Sequence, residues 1–263
     1  MGGVIITLEN LFDNYKKFEK IAKKKNGENE IDLRDLELNP TTLLLFWFFE
    51  KNNHKIISCS EELDIFELPE SKYNQQDLSF IDLIIEKLDS HYGGEFVLRH
   101  ILSELTYNIH EHAFDNEKTD ASLSFKIFDN EGILELAIMD NGISIPGRFD
   151  KANVDYIDDC NAIEKAINNF STVSDNPYER GNGLWTTIRL VIKGNVGEIL
   201  IISRKGLLHI SRGGYKYELL DNEEYFKGTL ISIRLNKFEV QNIYDLIELH
   251  KTNFYEYEVI NDY

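Results

Sequence analysis

The sequence predicts an α+β protein: a mainly antiparallel sheet with helices, preceded by a small α/β N-terminal part. Three observations carry that expectation. Apolar residues recur at helical spacing over Ile81, Ile84, Ile85 and Leu88, and again from Leu98 to Ala113. From Ser122 to Asp140 they alternate instead, in two runs joined by the turn "DNEG", as in a hairpin. A second alternating pair, "GEILIIS" and "GLLHIS" across "RKG", is followed after a charged loop by "GTLISIRL" from Gly228.

The elements follow in order. A short strand is expected near Val4 to Thr7, then a helix with the stripe Leu11, Tyr15, Phe18 and Ile21. The strand "EIDL" (Glu30 to Leu33), a helix from Pro40 to Lys51 and the strand "KIISC" (Lys55 to Cys59) come next. At the start of that helix Asn39 serves as cap and Pro40 fills the first turn, where a missing N–H costs nothing. The polar stretch Leu68 to Asp77 reads as a linker or loop. The expected division is therefore 1–75, 76–236, and 237–263 as a C-terminal helix and acidic tail.

A helix from about Leu78 to Leu88 opens the second part, and the turn "HYGG" separates it from the next. That next helix carries the buried stripe Leu98, Ile101, Leu102, Leu105, Ile109 and Ala113. Beside the stripe, Glu104, Asn108 and His112 stand at four-residue steps, a carboxylate, an amide and an imidazole along nearly one face. A polar row that flanks the apolar stripe suits a site at the edge of a core. His112 is expected to pack or hydrogen-bond, and His110 to be exposed. Downstream, Asp140 ends the core-facing series Leu134, Leu136, Ile138, and a buried carboxylate needs a partner. The stretch "NGISIPG" then offers glycine-bearing backbone that a ligand can approach closely. "NAIEKAINNF" makes a helix, and a polar loop from Ser171 to Arg180 leads into "GNGLWTTIRLV". Glycines ahead of an apolar helix leave free N–H groups at its positive end, where phosphates bind. It is not a dinucleotide fingerprint, since no G-x-G-x-x-G stands there.

Composition excludes several classes of function. The net charge of −18 and pI near 4.8 repel phosphate backbones, so no nucleic-acid partner is expected. The basic run "KKFEKIAKKK" (Lys16 to Lys25) reads as the solvated face of the first helix. Two cysteines, Cys59 and Cys160, without CxxC spacing exclude a disulfide framework and a cysteine zinc site. The most apolar run, "TLLLFWFF", is too short to cross a bilayer, and no signal-peptide pattern is present. A cytoplasmic protein with no membrane partner is expected.

Taken together, "ELTYNIHEHA", "DNGISIPG", "RGNGL" and "KGT" before a strand resemble, in order and spacing, the ATP-binding domain of the GHKL superfamily. This is the histidine-kinase-like ATPase module shared by gyrase, MutL, sensor kinases and anti-sigma kinases, and the resemblance covers Leu78 to Leu235. It implies the Bergerat-type fold, a two-layer sandwich of a mixed, mainly antiparallel sheet with helices on one face. It implies ATP and Mg2+ as ligands, with Asn108 holding the metal and Glu104 as general base toward water. By the same resemblance Asp140 accepts the adenine N6 proton and Gly142 admits the base. Ile145 lines that end of the site, Thr229 reaches the adenine, and Gly181, Gly183 and Leu184 cradle phosphates beneath the 171–180 lid.

Two departures stand out. Ser144 replaces the second glycine of the family's DxGxG motif, and the lid offers Arg180 as its nearby cation. The chain lacks the H-[ED]-x-x-x-P setting of a phosphoacceptor helix, which argues against a histidine autokinase. "IDLRDLELNPTTLLLFWFF" is similar to the heart of STAS domains, which partner anti-sigma kinases, and puts Thr41 near their phosphoacceptor position. The expectations are thus a regulatory Mg-ATP-dependent ATPase or switch, a serine/threonine kinase acting on a STAS-like partner, or a nucleotide-binding interaction module without turnover. ATP or ADP is the expected ligand, with a homodimer as a further expected assembly.

Overall fold

The computed structural model describes residues 10–23, 30–31, 39–51, 55–56, 65–68, 75–88, 90–113, 119–168, 182–221 and 226–248. The expected strand near Val4, the loop 171–180 with Arg180, Gly181, Cys59 and the acidic tail beyond residue 248 lie outside them. So does the His112 side chain.

The N-terminal elements are α1 (Leu11–Lys23), β1 (Glu30–Ile31), α2 (Pro40–Lys51) and β2 (Lys55–Ile56), with β1 and β2 paired in parallel. Asn39 caps α2 as its position predicts, its Oδ1 accepting the Thr42 N–H at 3.0 Å. Seven further strands form one sheet in the order β3 (Ile65–Glu67), β4 (Ala121–Phe128), β5 (Ile133–Asp140), β9 (Phe226–Asn236), β6 (Glu198–Arg204), β7 (Gly206–Ser211) and β8 (Gly214–Leu219). Every neighbouring pair in it is antiparallel. The molecule is α+β, as the alternation of its strands and the periodicity of its helices predict.

Strand alternation sorts the core into two layers. Leu134, Leu136 and Ile138 of β5 face one way with Ile199 and Ile201 of β6 and Ile231, Ile233 and Leu235 of β9. On that face lie α3 (Gln75–Lys87), α4 (Glu95–Asn108), α6 (Asp159–Ile167) and α7 (Asn182–Arg189). Residues of the opposite parity, including Ala137, Met139, Leu200, Ile202 and Leu230, meet Leu11, Phe12, Tyr15 and Phe18 of α1 and Leu44 and Leu45 of α2. To the expected sandwich, α1 and α2 thus add a cover on the second face of the sheet.

A buried ionic network ties that cover down. Glu135 of β5 is fully buried and pairs with Arg234 of β9 at 2.7 Å, while Arg234 also reaches Glu198 of β6 at 3.0 Å. Thr41 donates its backbone N–H and its hydroxyl to Glu135 at 3.1 and 2.7 Å. Glu198 in turn accepts the Leu11 N–H at the start of α1 and lies 2.8 Å from His209. The Thr41 hydroxyl is therefore inside the protein and bonded to a carboxylate, which corrects its placement as a phosphoacceptor.

Three elements escape sequence reading. β3 is only three residues long. β8 is an edge strand whose "GYKYEL" is largely exposed and so lacks the apolar alternation that marks a strand. The helix α5 (Ile145–Lys151) lies where "ISIPG" reads as loop. Its proline occupies the first turn, and Ser144 caps it by accepting the Gly147 N–H at 3.1 Å. The helix expected from Leu78 begins at Gln75, inside the stretch read as linker.

Candidate functional site

The stripe of α4 is buried as its spacing predicts, and this turns the polar row toward the edge of the core. The regular helix ends at Asn108 and continues as a π turn, Ile109–Ala113. A π turn carries more residues per turn than an α-helix and so rotates the side chains beyond Asn108 about the axis. Ile109 and His110 both face inward as a result. His110, expected on the surface, is only 1% exposed.

Glu104 is half-buried, and its carboxylate lies against the backbone of Gly183 in the first turn of α7. A Cβ built on Gly183 would collide with Glu104 Oε2 and fall 2.8 Å from its carboxyl carbon, so glycine leaves the carboxylate free to lie where it does. Burial raises the Glu104 carboxyl above the ordinary glutamate value. Asn108, one turn further along, is half-buried at the end of α4.

At the end of the π turn, Ala113 meets the loop after β5. A Cβ on Gly142 would lie 2.6 Å from both the Cβ and the carbonyl oxygen of Ala113. Beside this contact stands Asp140, 5% exposed, paired across the ladder with Thr229. Its Oδ1 accepts the Gly142 N–H at 2.8 Å. Loss of water pushes its pKa up to about 7, although the Gly142 and Thr229 N–H groups pull the other way. Ser144 holds φ 71°, a backbone region that favours glycine, and offsets the strain by capping α5.

Sequence reasoning missed Ser203 and His100. Ser203 Oγ accepts the Ile145 N–H at 2.9 Å, donates to the Gly228 carbonyl at 3.1 Å and lies 3.0 Å from Thr229 Oγ1. One hydroxyl thus joins the loop after β5 to the start of the Thr229 strand. Its signal was present: it ends the core-facing series Ile199, Ile201 as Asp140 ends that of β5. His100 stands four residues before Glu104 and extends the polar row backward. Thr186 gives its hydroxyl proton to the Gly183 carbonyl at 2.9 Å, and His100 Nε2 donates to the Thr186 hydroxyl oxygen at 2.9 Å. Burial lowers the His100 pKa.

The structure therefore brings Glu104 of α4 to Gly183 of α7, next to buried Leu184, and brings Ala113 of the π turn to Gly142, beside Asp140, Ile145 and Thr229. Among the described residues no group of three or more His, Cys, Asp or Glu could hold a metal by itself. Among them, too, no helix is long and apolar enough to cross a membrane.

No protein-family model and no curated protein sequence matches the chain. Among solved structures it is similar to the histidine kinase domain of the blue-light activated histidine kinase of Erythrobacter litoralis, at 18% identity and a TM-score of 0.31. That match covers 60% of this chain and 49% of the other, so the chain spans about half the length of the protein it matches.

Proposed function

We propose that the chain binds Mg-ATP along α4 and works as a nucleotide-dependent regulatory ATPase or switch of the histidine-kinase-like type. The observation that carries this reading is the pair of glycine contacts along one continuous helical segment, Gly183 against Glu104 and Gly142 against Ala113. Residue 113 follows residue 104 by nine, at most about 13.5 Å of axis at the α-helical rise of 1.5 Å per residue and less across the π turn, a length that suits a nucleoside triphosphate. In this reading the base sits at Asp140, whose buried carboxylate accepts the adenine N6 proton, with Gly142, Ile145 and Thr229 around it. Gly183 and Leu184 meet the phosphates, together with Gly181.

The donor set fits magnesium. When bound, Mg2+ would need only one or two protein oxygens and would supply neutralisation of the phosphate charge. The Asn108 amide oxygen, one turn from Glu104, would supply that protein ligand. Glu104 accepts a proton from the attacking water, and its raised affinity for protons suits a general base. The burial of Thr41 disfavours phosphoryl transfer within the chain. Transfer to a separate STAS-like partner is the alternative outcome of the same assay.

Thermal melting and turnover test the reading together. ATP or ADP with Mg2+ should raise the melting temperature, because a ligand bound only to the native state stabilises it. Asp140→Asn should remove the shift, and a full shift in that variant rejects the adenine site. Glu104→Ala should keep the shift and lose turnover by roughly two to four orders of magnitude. Asn108→Ala should lose both, with binding partly restored by excess Mg2+. Labelled phosphate appearing on a STAS-like protein, in place of free phosphate, would assign a kinase.

A further inference from the structure

Three polar residues stand in one row across the sheet. Asp140 of β5 pairs with Thr229 of β9, and Thr229 pairs with Ser203 of β6. Ladder partners share a face of the sheet, and two residues earlier along β5 the same face carries the paired Ile138, Ile231 and Ile201. An apolar row thus gives way to a polar one at the end of the core where the base sits in the nucleotide reading.

Ser203 is fully buried, and its hydroxyl meets the Ile145 N–H at 2.9 Å, the Gly228 carbonyl at 3.1 Å and Thr229 Oγ1 at 3.0 Å. A hydroxyl has one proton to give and two lone pairs to receive. The Ile145 N–H can only donate and the Gly228 carbonyl can only accept, so the proton and one lone pair of Ser203 are committed. The second lone pair faces Thr229, which must supply the proton for that contact. Turning the Ser203 proton to Thr229 instead would leave Ser203 Oγ and the Gly228 carbonyl 3.1 Å apart with no proton between them. The Thr229 proton is therefore engaged, and its half-buried hydroxyl oxygen offers a ligand lone pairs only.

We infer that Ser203 is a positioning residue for base specificity: it holds the Thr229 proton, makes Thr229 a fixed acceptor beside Asp140, and so selects a 6-amino over a 6-oxo purine. This rests on the nucleotide reading above. An amino group brings protons to the two acceptors, whereas a 6-oxo group brings them another lone pair. Without Ser203 the Thr229 hydroxyl is free to turn, and it can then donate to a carbonyl as readily as it accepts from an amine.

Isothermal titration calorimetry of the full chain with ADP and with IDP, each with Mg2+, tests the inference. Wild type should bind ADP roughly a hundredfold or more tighter than IDP. Ser203→Ala should lower that ratio roughly tenfold, by favouring IDP relative to ADP. Ser203→Cys, similar in shape but a weak hydrogen-bonding group, should lower it too and carries the comparison where the alanine variant does not stay folded. Unliganded melting of each variant checks that it is folded. Thr229→Val should also lower the ratio, and adding Ser203→Ala to it should change the ratio no further, because the serine acts through the threonine. A serine that only braces the loop would weaken both nucleotides alike, and an unmoved ratio in the folded Ser203 variants overturns the inference. So does a further fall in the double variant. Wild type binding ADP and IDP equally overturns it while the nucleotide reading stands, and wild type binding neither removes both.

Discussion

Asp140 closes the core-facing series of β5 with a carboxylate that has lost its water, and its pKa rises to about 7. The unfolded value lies near about 4, so between the two the native state holds the extra proton. Stability from this group is then full at low pH and is lost as pH rises through about 7. A nucleotide whose N6 donor favours the ionised form is linked with the opposite sign. The rise in melting temperature caused by ADP should be larger at about pH 8 than at about pH 6. Asp140→Asn should flatten that difference, and an unchanged pH dependence in the variant would assign it to another group. Gly183 makes a second point at this scale. Gly183→Ala forces the Glu104 carboxylate aside, and because that group ends a flexible, half-buried side chain the stability change should be small, about 1 kcal/mol or less. Turnover should fall nonetheless, since the displaced carboxylate no longer meets the attacking water, while urea denaturation should show little change. The residue types at both positions were legible from sequence, because each breaks a local pattern: a charge on an apolar face, a glycine ahead of an apolar helix. Their contacts were not legible, since Gly183 and Glu104 stand 79 positions apart (183 − 104).

The strands show what patterns omit at the scale of elements. Glu135 and Arg234 read from sequence as outward residues of half-buried strands, yet they are 0% and 3% exposed beneath α2. Removing one partner leaves the other charged and buried, so Arg234→Met should cost about 3–5 kcal/mol in chemical denaturation. Thr41→Val removes one hydrogen bond to the same carboxylate and should cost less, about 1.5–3 kcal/mol for a bond to a charged group. Equal losses would mean that the ion pair carries little of the attachment. β8 and α5 were missed for opposite reasons. The exposed edge of β8 has no apolar face to betray it, while α5 depends on Ser144 taking a backbone angle that serine seldom adopts. The π turn that carries His110 inward leaves no mark in helical spacing either.

Across the whole molecule, the two apolar faces of the sheet are covered by different parts of the chain. A chain begun at Ile65 would expose Ala137, Met139, Leu200, Ile202, Leu207 and Leu230 together. Such a fragment should aggregate or bind a hydrophobic dye. A soluble fragment that unfolds cooperatively would show the N-terminal cover to be dispensable. By itself the sequence determined the longer helices and the long strands, the buried stripe of α4 and the polar row beside it, and the anomaly at Asp140. All of these are set by residues a few positions apart, whose spacing repeats with the local geometry of helix or strand. Only the tertiary structure decided that α1 and α2 close the second face, that Glu135 finds Arg234 99 positions away, and that Ser203 joins the loop after β5 to the strand that begins at Phe226. Those pairings depend on which strands become neighbours, and that order is chosen by packing the whole core at once, which no local period records.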